Sequence, residues 1–156
     1  MIRSAKPEDL SEIASLIKEL ADYERAPEQA IATIEDLGAA LFGPSPKVFC
    51  EIVEVDGAVL GFAIWFLNFS TWQGKHGIYL EDLFIRPQYR GSGWGKKLLE
   101  HLAAKCLENN WGRFQWWVLD WNEPAIEFYR ALGASPMNEW TVYRVAGEEL
   151  KKLGES

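Results

Sequence analysis

Two adjacent acids, Glu81 and Asp82, stand inside an apolar run, Tyr79-Leu80-Glu81-Asp82-Leu83-Phe84-Ile85. A glycine cluster follows shortly after it, Arg90-Gly91-Ser92-Gly93-Trp94-Gly95. Each feature could do chemistry. A carboxylate on a buried strand is costly without a partner or a task, and one such task is to take a proton. Alternate residues of a strand face opposite sides, so both acids cannot reach water from a central strand. An edge strand, or a bulge that lets one acid reach water, is the structural alternative. Glycines between a strand and a helix leave backbone N–H groups unshielded where the helix dipole begins, which makes an anion site. Arg90, Lys96 and Lys97 add positive charge there. The bland alternative is a tight turn that needs glycine for steric reasons.

Spacing excludes two phosphate loops. A Walker loop needs glycine, four residues, then Gly-Lys-Ser/Thr. Counting back from Gly95-Lys96 puts Arg90 where the glycine should be, and Lys97 follows in place of the hydroxyl residue. A dinucleotide fingerprint needs G-x-G-x-x-G after the first strand of a βαβ unit. Here the spacing is G-x-G-x-G, past mid-chain.

The elements that must position these groups are legible. Ile2-Arg3 reads as a short first strand. Pro7-Glu8-Asp9 starts a helix, with proline in the first turn and acids at the positive dipole end. Leu10, Ile13, Leu16, Ile17 and Leu20 continue it at helical spacing, and Tyr23-Glu24 fall at or near its end. Thr33 with Asp36 caps a second helix running to Phe42. "VFCEIVEV", the turn Asp56-Gly57 and "AVLGFAIWFL" form a hairpin, and "IYLEDLFI" is a third long strand. Leu98, Leu99, Leu102, Ala103, Cys106 and Leu107 line one face of the next helix. "FQWWVL" lacks alternation and reads as a strand buried on both faces. Asn122 caps a helix with Pro124 in its first turn and Gly133 past its end. "WTVYRV" reads as a last strand. The order β-α-α-β-β-β-α-β-α-β is of the α/β or α+β class, a mixed sheet flanked by helices. His76, in a Gly-rich turn, and His101, on the outer side of its helix, read as solvated.

With 156 residues the chain fits one domain, 1–156. The net charge is -7 and the pI about 4.9, which argues against nucleic acid as a partner and suits a cationic one. Cys50 and Cys106 have no framework or metal spacing, so neither a disulfide nor a metal is expected. No run approaches membrane length and no signal core is present, so a cytoplasmic location is expected.

Arg-x-x-Gly-x-Gly, spelled here Arg90 to Gly95, resembles the pyrophosphate loop of the GNAT acetyltransferases. "YLEDLF", "YRGSGWG", "WNEPAIEFYRALGA" and "IKELADYE" together resemble the spermidine/spermine acetyltransferase branch, from residue 2 to about 145. "FSTWQGK" and "VLDWN" are similar to its thialysine acetyltransferase type. The resemblance implies a GNAT fold, with a mixed, mostly antiparallel central sheet. It also implies acetyl-CoA as cosubstrate, a small cationic amine as acceptor and a homodimer.

The resemblance also implies roles. Glu81 would take the amine's proton, and Tyr129 would protonate the departing thiolate. Leu83, Phe84 and Ile85 would bind the pantetheine arm. Arg90, Gly91, Ser92, Gly93, Trp94, Gly95 and Lys96 would cradle the pyrophosphate. Asn122, Glu123, Pro124 and Ala125 would touch the cofactor from the next helix. Tyr23, Glu24, Trp72, Asp82, Glu139 and Trp140 would line the amine channel. Between Ala134 and Trp140 the chain is a few residues shorter than the family's loop. Ser70 stands where polyamine enzymes carry an acid, which argues for thialysine, a lysine-like molecule or a short diamine ahead of polyamines. The rivals are a protein N-terminal or lysine acetyltransferase and a catalytically silent CoA-binding regulatory module.

Overall fold

The computed structural model describes residues 1–156. The chain divides into two compact units, 1–119 and 120–156. The first unit opens with strand β1 (Ile2–Ser4) and a single 3-10 turn at Pro7–Asp9, then helix α1 (Leu10–Tyr23). Helix α2 (Ile34–Phe42) starts on a capping box, in which Thr33 Oγ1 accepts from the Asp36 amide and Asp36 accepts from the Thr33 amide. Strands β2 (Phe49–Val55), β3 (Ala58–Ser70) and β4 (Lys75–Ile85) follow, then helix α3 (Trp94–Glu108) and a short β5 (Phe114–Trp116). Asp56 and Gly57 both take positive φ, 50° and 79°, as the two-residue turn between β2 and β3 requires.

The sheet order is β1-β2-β3-β4-β5. The first four strands pair antiparallel and β5 runs parallel to β4, with α3 as the crossover that a parallel pair needs. Period-two alternation sorts β2 between two layers. Cys50 and Ile52 join Ile13 and Leu16 of α1, Leu41 of α2, and Phe62, Ile64 and Phe84 in one core cluster. Glu51 faces the other way, toward α3. Only 2% exposed, it meets His101 Nε2 at 3.3 Å and Lys105 Nζ at 3.5 Å, while Ser4 Oγ donates to it at 3.3 Å. A buried carboxylate survives where cations and donors surround it, and here those groups tie α3 to the sheet. His101 is therefore turned inward, not to solvent as its place on the helical wheel implied.

Two ion-pair clusters fix the helices to the strands. Arg3 joins Asp9 at 2.8 Å and Glu54 at 2.6 Å. Arg86, just past β4, reaches Glu12 at 2.8 Å and Glu19 at 3.1 Å on α1, and donates to the Val59 carbonyl at 2.9 Å.

The second unit holds α4 (Glu123–Ala131) and α5 (Gly147–Gly154). Three sequence expectations need correction. "WTVYRV" forms no regular strand and the chain ends in a helix instead; strand propensity makes a strand only where a ladder forms. "FQWWVL" yields only the three residues of β5, half-buried, with Trp117 58% exposed, because β5 has one neighbour and is an edge. On α3, Ala103 and Leu107 lie exposed, while Leu98, Leu99, Leu102 and Cys106 form the buried stripe.

Gly61 shows how tightly β3 and β4 fit. A Cβ there would lie 2.4 Å from the Phe84 carbonyl oxygen and 2.5 Å from Ile85 Cδ1. Overpacking of this kind costs about 1–3 kcal/mol or more. Gly61→Ala should lower the urea midpoint by a corresponding amount. An unchanged midpoint would show that β4 yields at this point.

Candidate functional site

The two acids are separated by a break in the ladder. Ile64 pairs with Asp82 and Trp65 with Leu80, so Glu81 is the extra residue of a β-bulge. On the other side, β5 pairs with β4 only at Ile78, Tyr79 and Leu80. Beyond Leu80 the far edge of β4 has no strand beside it. The bulge and the loss of β5 coincide at Glu81. Glu81 is exposed and Asp82 partly buried, and both line one cavity of about 290 Å³. The strand alternation that seemed to forbid this is broken at that residue.

The opposite wall comes from the end of α1. The Ala26 amide bonds to the Ala21 carbonyl at 3.0 Å and the Arg25 amide to Asp22 at 3.1 Å, the double closure of a Schellman end. Arg25 occupies the left-handed position, φ 62°, usually given to glycine. This stop places Glu24 at the helix end, where it lines the cavity with Ile17, Leu20 and Ala21. Gln29 and Ala30 complete the wall; sequence reasoning missed them, and their segment carries no pattern beyond Pro27 to mark it.

Three carboxylates thus share one small space. Burial, then the neighbouring charges of Glu81 and Glu24, push Asp82 up to about 7. Burial, then Glu81, raises Glu24 as well. Like charges in a confined site disfavour ionisation of one another, and a cation entering the cavity would relieve Asp82 and Glu24.

The glycine loop has the geometry of an anion cradle. Gly91 and Gly93 take φ of 79° and 83°, and a Cβ on either would meet nothing within 4 Å. The loop therefore uses glycine for conformation and an open approach, not to avoid a clash. Gly93 precedes α3 with no side-chain cap, so the first amides of that helix have no intrahelical acceptor. Lys96 and Lys97 are exposed beside it; Lys97 Nζ lies 4.4 Å from the Trp94 ring centroid and Lys96 Nζ 3.6 Å from Glu100. Such uncapped amides fit a pyrophosphate. The edge of β4 at Leu83, Phe84 and Ile85 has no strand beside it, although the Ile85 carbonyl accepts from Arg90 Nε at 2.8 Å, and what it leaves open fits an amide-bearing arm that bonds like a strand.

The remaining candidates are placed as follows. Trp72 is 84% exposed at the β3–β4 turn and does not line the cavity. Ser70 is buried, and its hydroxyl accepts from the Gln73 amide at 3.2 Å. It therefore caps the turn. In the second unit, Asn122 caps α4 by accepting from the Ala125 amide at 3.4 Å. Glu123 and Pro124 lie exposed in that first turn. Tyr129 is half-buried on α4, its ring 5.6 Å from Phe128. Gly133, φ 90°, ends the helix, and the Ala134 amide closes on the Tyr129 carbonyl at 3.1 Å. Glu139 and Trp140 lie in an exposed turn.

Residues 10–134 match the acetyltransferase (GNAT) family. The chain is 37% identical to a thialysine N-epsilon-acetyltransferase from Bos taurus, over 98% of this chain and 96% of that protein. It is 31% identical to an L-ornithine N5-acetyltransferase from Arabidopsis thaliana, over 97% and 86%. Among solved structures, an integron cassette protein from the V. cholerae mobile metagenome superposes with a TM-score of 0.84 at 29% identity, covering 100% of this chain and 98% of that one. The chain belongs to the GNAT acetyltransferase family. It is an acetyl-CoA-dependent N-acetyltransferase.

The raised Asp82 has a measurable consequence. The folded protein holds this proton to about pH 7, the unfolded chain only to about 4. Between those values the folded state binds more protons, so this group's contribution to stability falls as pH rises. Asp82→Asn should therefore melt above wild type at pH 8, and the gap should shrink toward pH 5. Parallel melting curves at all pH values would contradict the assignment.

Proposed function

We propose that this enzyme acetylates the primary amine of a small dicationic or amino-acid substrate, with thialysine, lysine-like molecules or short diamines ahead of polyamines. One observation carries the reading: Glu24, Glu81 and Asp82 converge on a small cavity at the point where β4 loses its neighbour. Relatives named for thialysine and ornithine acetylation, matched over nearly the whole chain, support the same class. They give the protein-directed and catalytically silent alternatives no support.

The chemistry follows from the charges. An alkyl ammonium with a pKa near 10.4 is neutral in only about one molecule in a few thousand at pH 7. Removing its proton costs ~4–5 kcal/mol at that pH. Glu81, the exposed member of the bulge, takes that proton, directly or through a water. Glu24 and Asp82 hold the distal cation, whose charge returns both acids toward their ionised forms. The family resemblance assigns Tyr23, Trp72, Glu139 and Trp140 to the amine channel, and none of them lines the cavity itself.

Acetyl-CoA supplies the activated acetyl group. The β4 edge at Leu83, Phe84 and Ile85 pairs with the pantetheine arm. The amides from Gly91 to Lys96 bind the pyrophosphate, with Asn122 to Ala125 as a further contact. An arm laid along this path would end beside Glu81. Tyr129 donates a proton to the leaving thiolate. Both cysteines are buried free thiols, and burial raises each, which suits direct transfer and not an acyl-enzyme.

We further read residues 1–156 as one catalytic domain, since the family match crosses the boundary between the two units. The protein works as a cytoplasmic homodimer in this reading. Tyr143 is 93% exposed and Trp140 66%, more apolar surface than one short segment usually leaves bare. Sedimentation should give twice the chain mass.

Tyr129→Phe should lower kcat on the order of 10²-fold while CoA binding is retained. Wild-type turnover in that variant would remove Tyr129 from the mechanism. Glu81→Gln should shift the rate profile to higher pH, where more amine is already neutral; an equal loss at every pH would instead indicate a binding role. Thiol release from acetyl-CoA, measured across thialysine, lysine, diamines, polyamines and peptides, ranks the acceptors.

A further inference from the structure

We propose that Arg90 is a positioning residue that couples the pyrophosphate loop to the amine cavity through Tyr23, and is not simply a phosphate ligand. This rests on the acetyl-CoA reading above. Arg90 Nε donates to the Ile85 carbonyl at 2.8 Å. Its guanidinium carbon lies 5.0 Å from the Tyr23 ring centroid and 5.2 Å from that of Phe84. One side chain from the loop therefore touches the last residue of α1 and the buried ring on β4. The next residue after Tyr23 is Glu24, a wall of the acidic cavity.

Arg86 repeats the arrangement at the base of the same loop, with Glu12 and Glu19 as partners. Glu12, Glu19 and Tyr23 are spaced by seven and four residues, so they share one face of α1. The loop is thus braced against that face at two points. Arg86 holds the middle of the helix by ion pairs, and Arg90 holds its end by ring faces and a carbonyl.

A guanidinium suits this use. It is planar, stacks on aromatic rings and can donate in its own plane at the same time. An ammonium in its place keeps the charge and loses the fork and the stack. Swinging Arg90 outward to a phosphate would surrender the Ile85 carbonyl and both rings. Closure of the loop on a pyrophosphate therefore acts on Tyr23, and through it on Glu24. Linkage makes the effect mutual: bound CoA changes amine affinity by the same factor by which bound amine changes CoA affinity.

The test uses calorimetric titration of CoA into wild type, Arg90→Lys, Tyr23→Leu, Tyr23→Phe and the Arg90→Lys/Tyr23→Leu double variant, with the amine KM measured beside it. Tyr23→Leu should weaken CoA binding on the order of 10-fold, and Tyr23→Phe should leave it near wild type. Arg90→Lys should weaken CoA and raise the amine KM although its charge is kept. The double variant should be no worse than the weaker single one. Wild-type CoA affinity in Tyr23→Leu, rescue by lysine, or multiplying losses would each overturn the proposal. Failure of the wild type to bind CoA would overturn the underlying reading instead. The melting temperatures of the same proteins then still report the contact, and additive shifts would refute it.

Discussion

The site depends on one constraint, that the parallel pair β4 and β5 at one side of the sheet must be opened without leaving the sheet unstable. β4 is paired along its length to β3, and β5 joins it only as far as Leu80. A strand edge without a partner is normally a liability. Here the opening comes where Glu81 bulges out of the ladder and the glycine loop begins shortly beyond it. The surrounding structure holds β4 rigid while this edge stays free. Gly61 lets β3 approach the Phe84 carbonyl, and Arg86 pins the end of β4 to α1.

The opening has an electrostatic counterpart. An acidic protein with net charge -7 brings three carboxylates to the break, and burial with the neighbouring charges raises Asp82 and Glu24. That is unfavourable for the empty protein and favourable for a cation, the balance expected of a site shaped to its ligand. The positive groups sit past the end of the same strand, in the loop and the first turn of α3. The polarity therefore reverses between the two, and in the proposed reading the acidic part takes an amine and the basic part a pyrophosphate.

Much of this was legible in the residues. The capping box at Thr33, the Asp56-Gly57 turn, the Asn122 cap and the glycine loop are local signals, and each stands where it was read. Glu81 and Asp82 announced themselves as acids in an apolar strand, and a bulge was one of the two structural alternatives; that it falls at Glu81 depends on the register of β3 and could not be read from β4 alone. Long-range contacts were hidden for the same reason. His101 looked solvated because nothing in its helix points to Glu51 on β2. Arg90 read as a phosphate residue because its spacing is that of a loop, while its ring partners lie on α1 and β4. "WTVYRV" misled because residue propensity carries no knowledge of a pairing edge.

The central claim is that the free edge of β4 and the loop beyond it hold one ligand along a continuous path. Amide hydrogen exchange with and without acetyl-CoA tests this most directly. The account predicts new protection at Leu83 to Ile85 and at Gly91 to Lys96, appearing together at one ligand concentration. Protection confined to the loop, with the β4 edge exchanging as in the free protein, would contradict it.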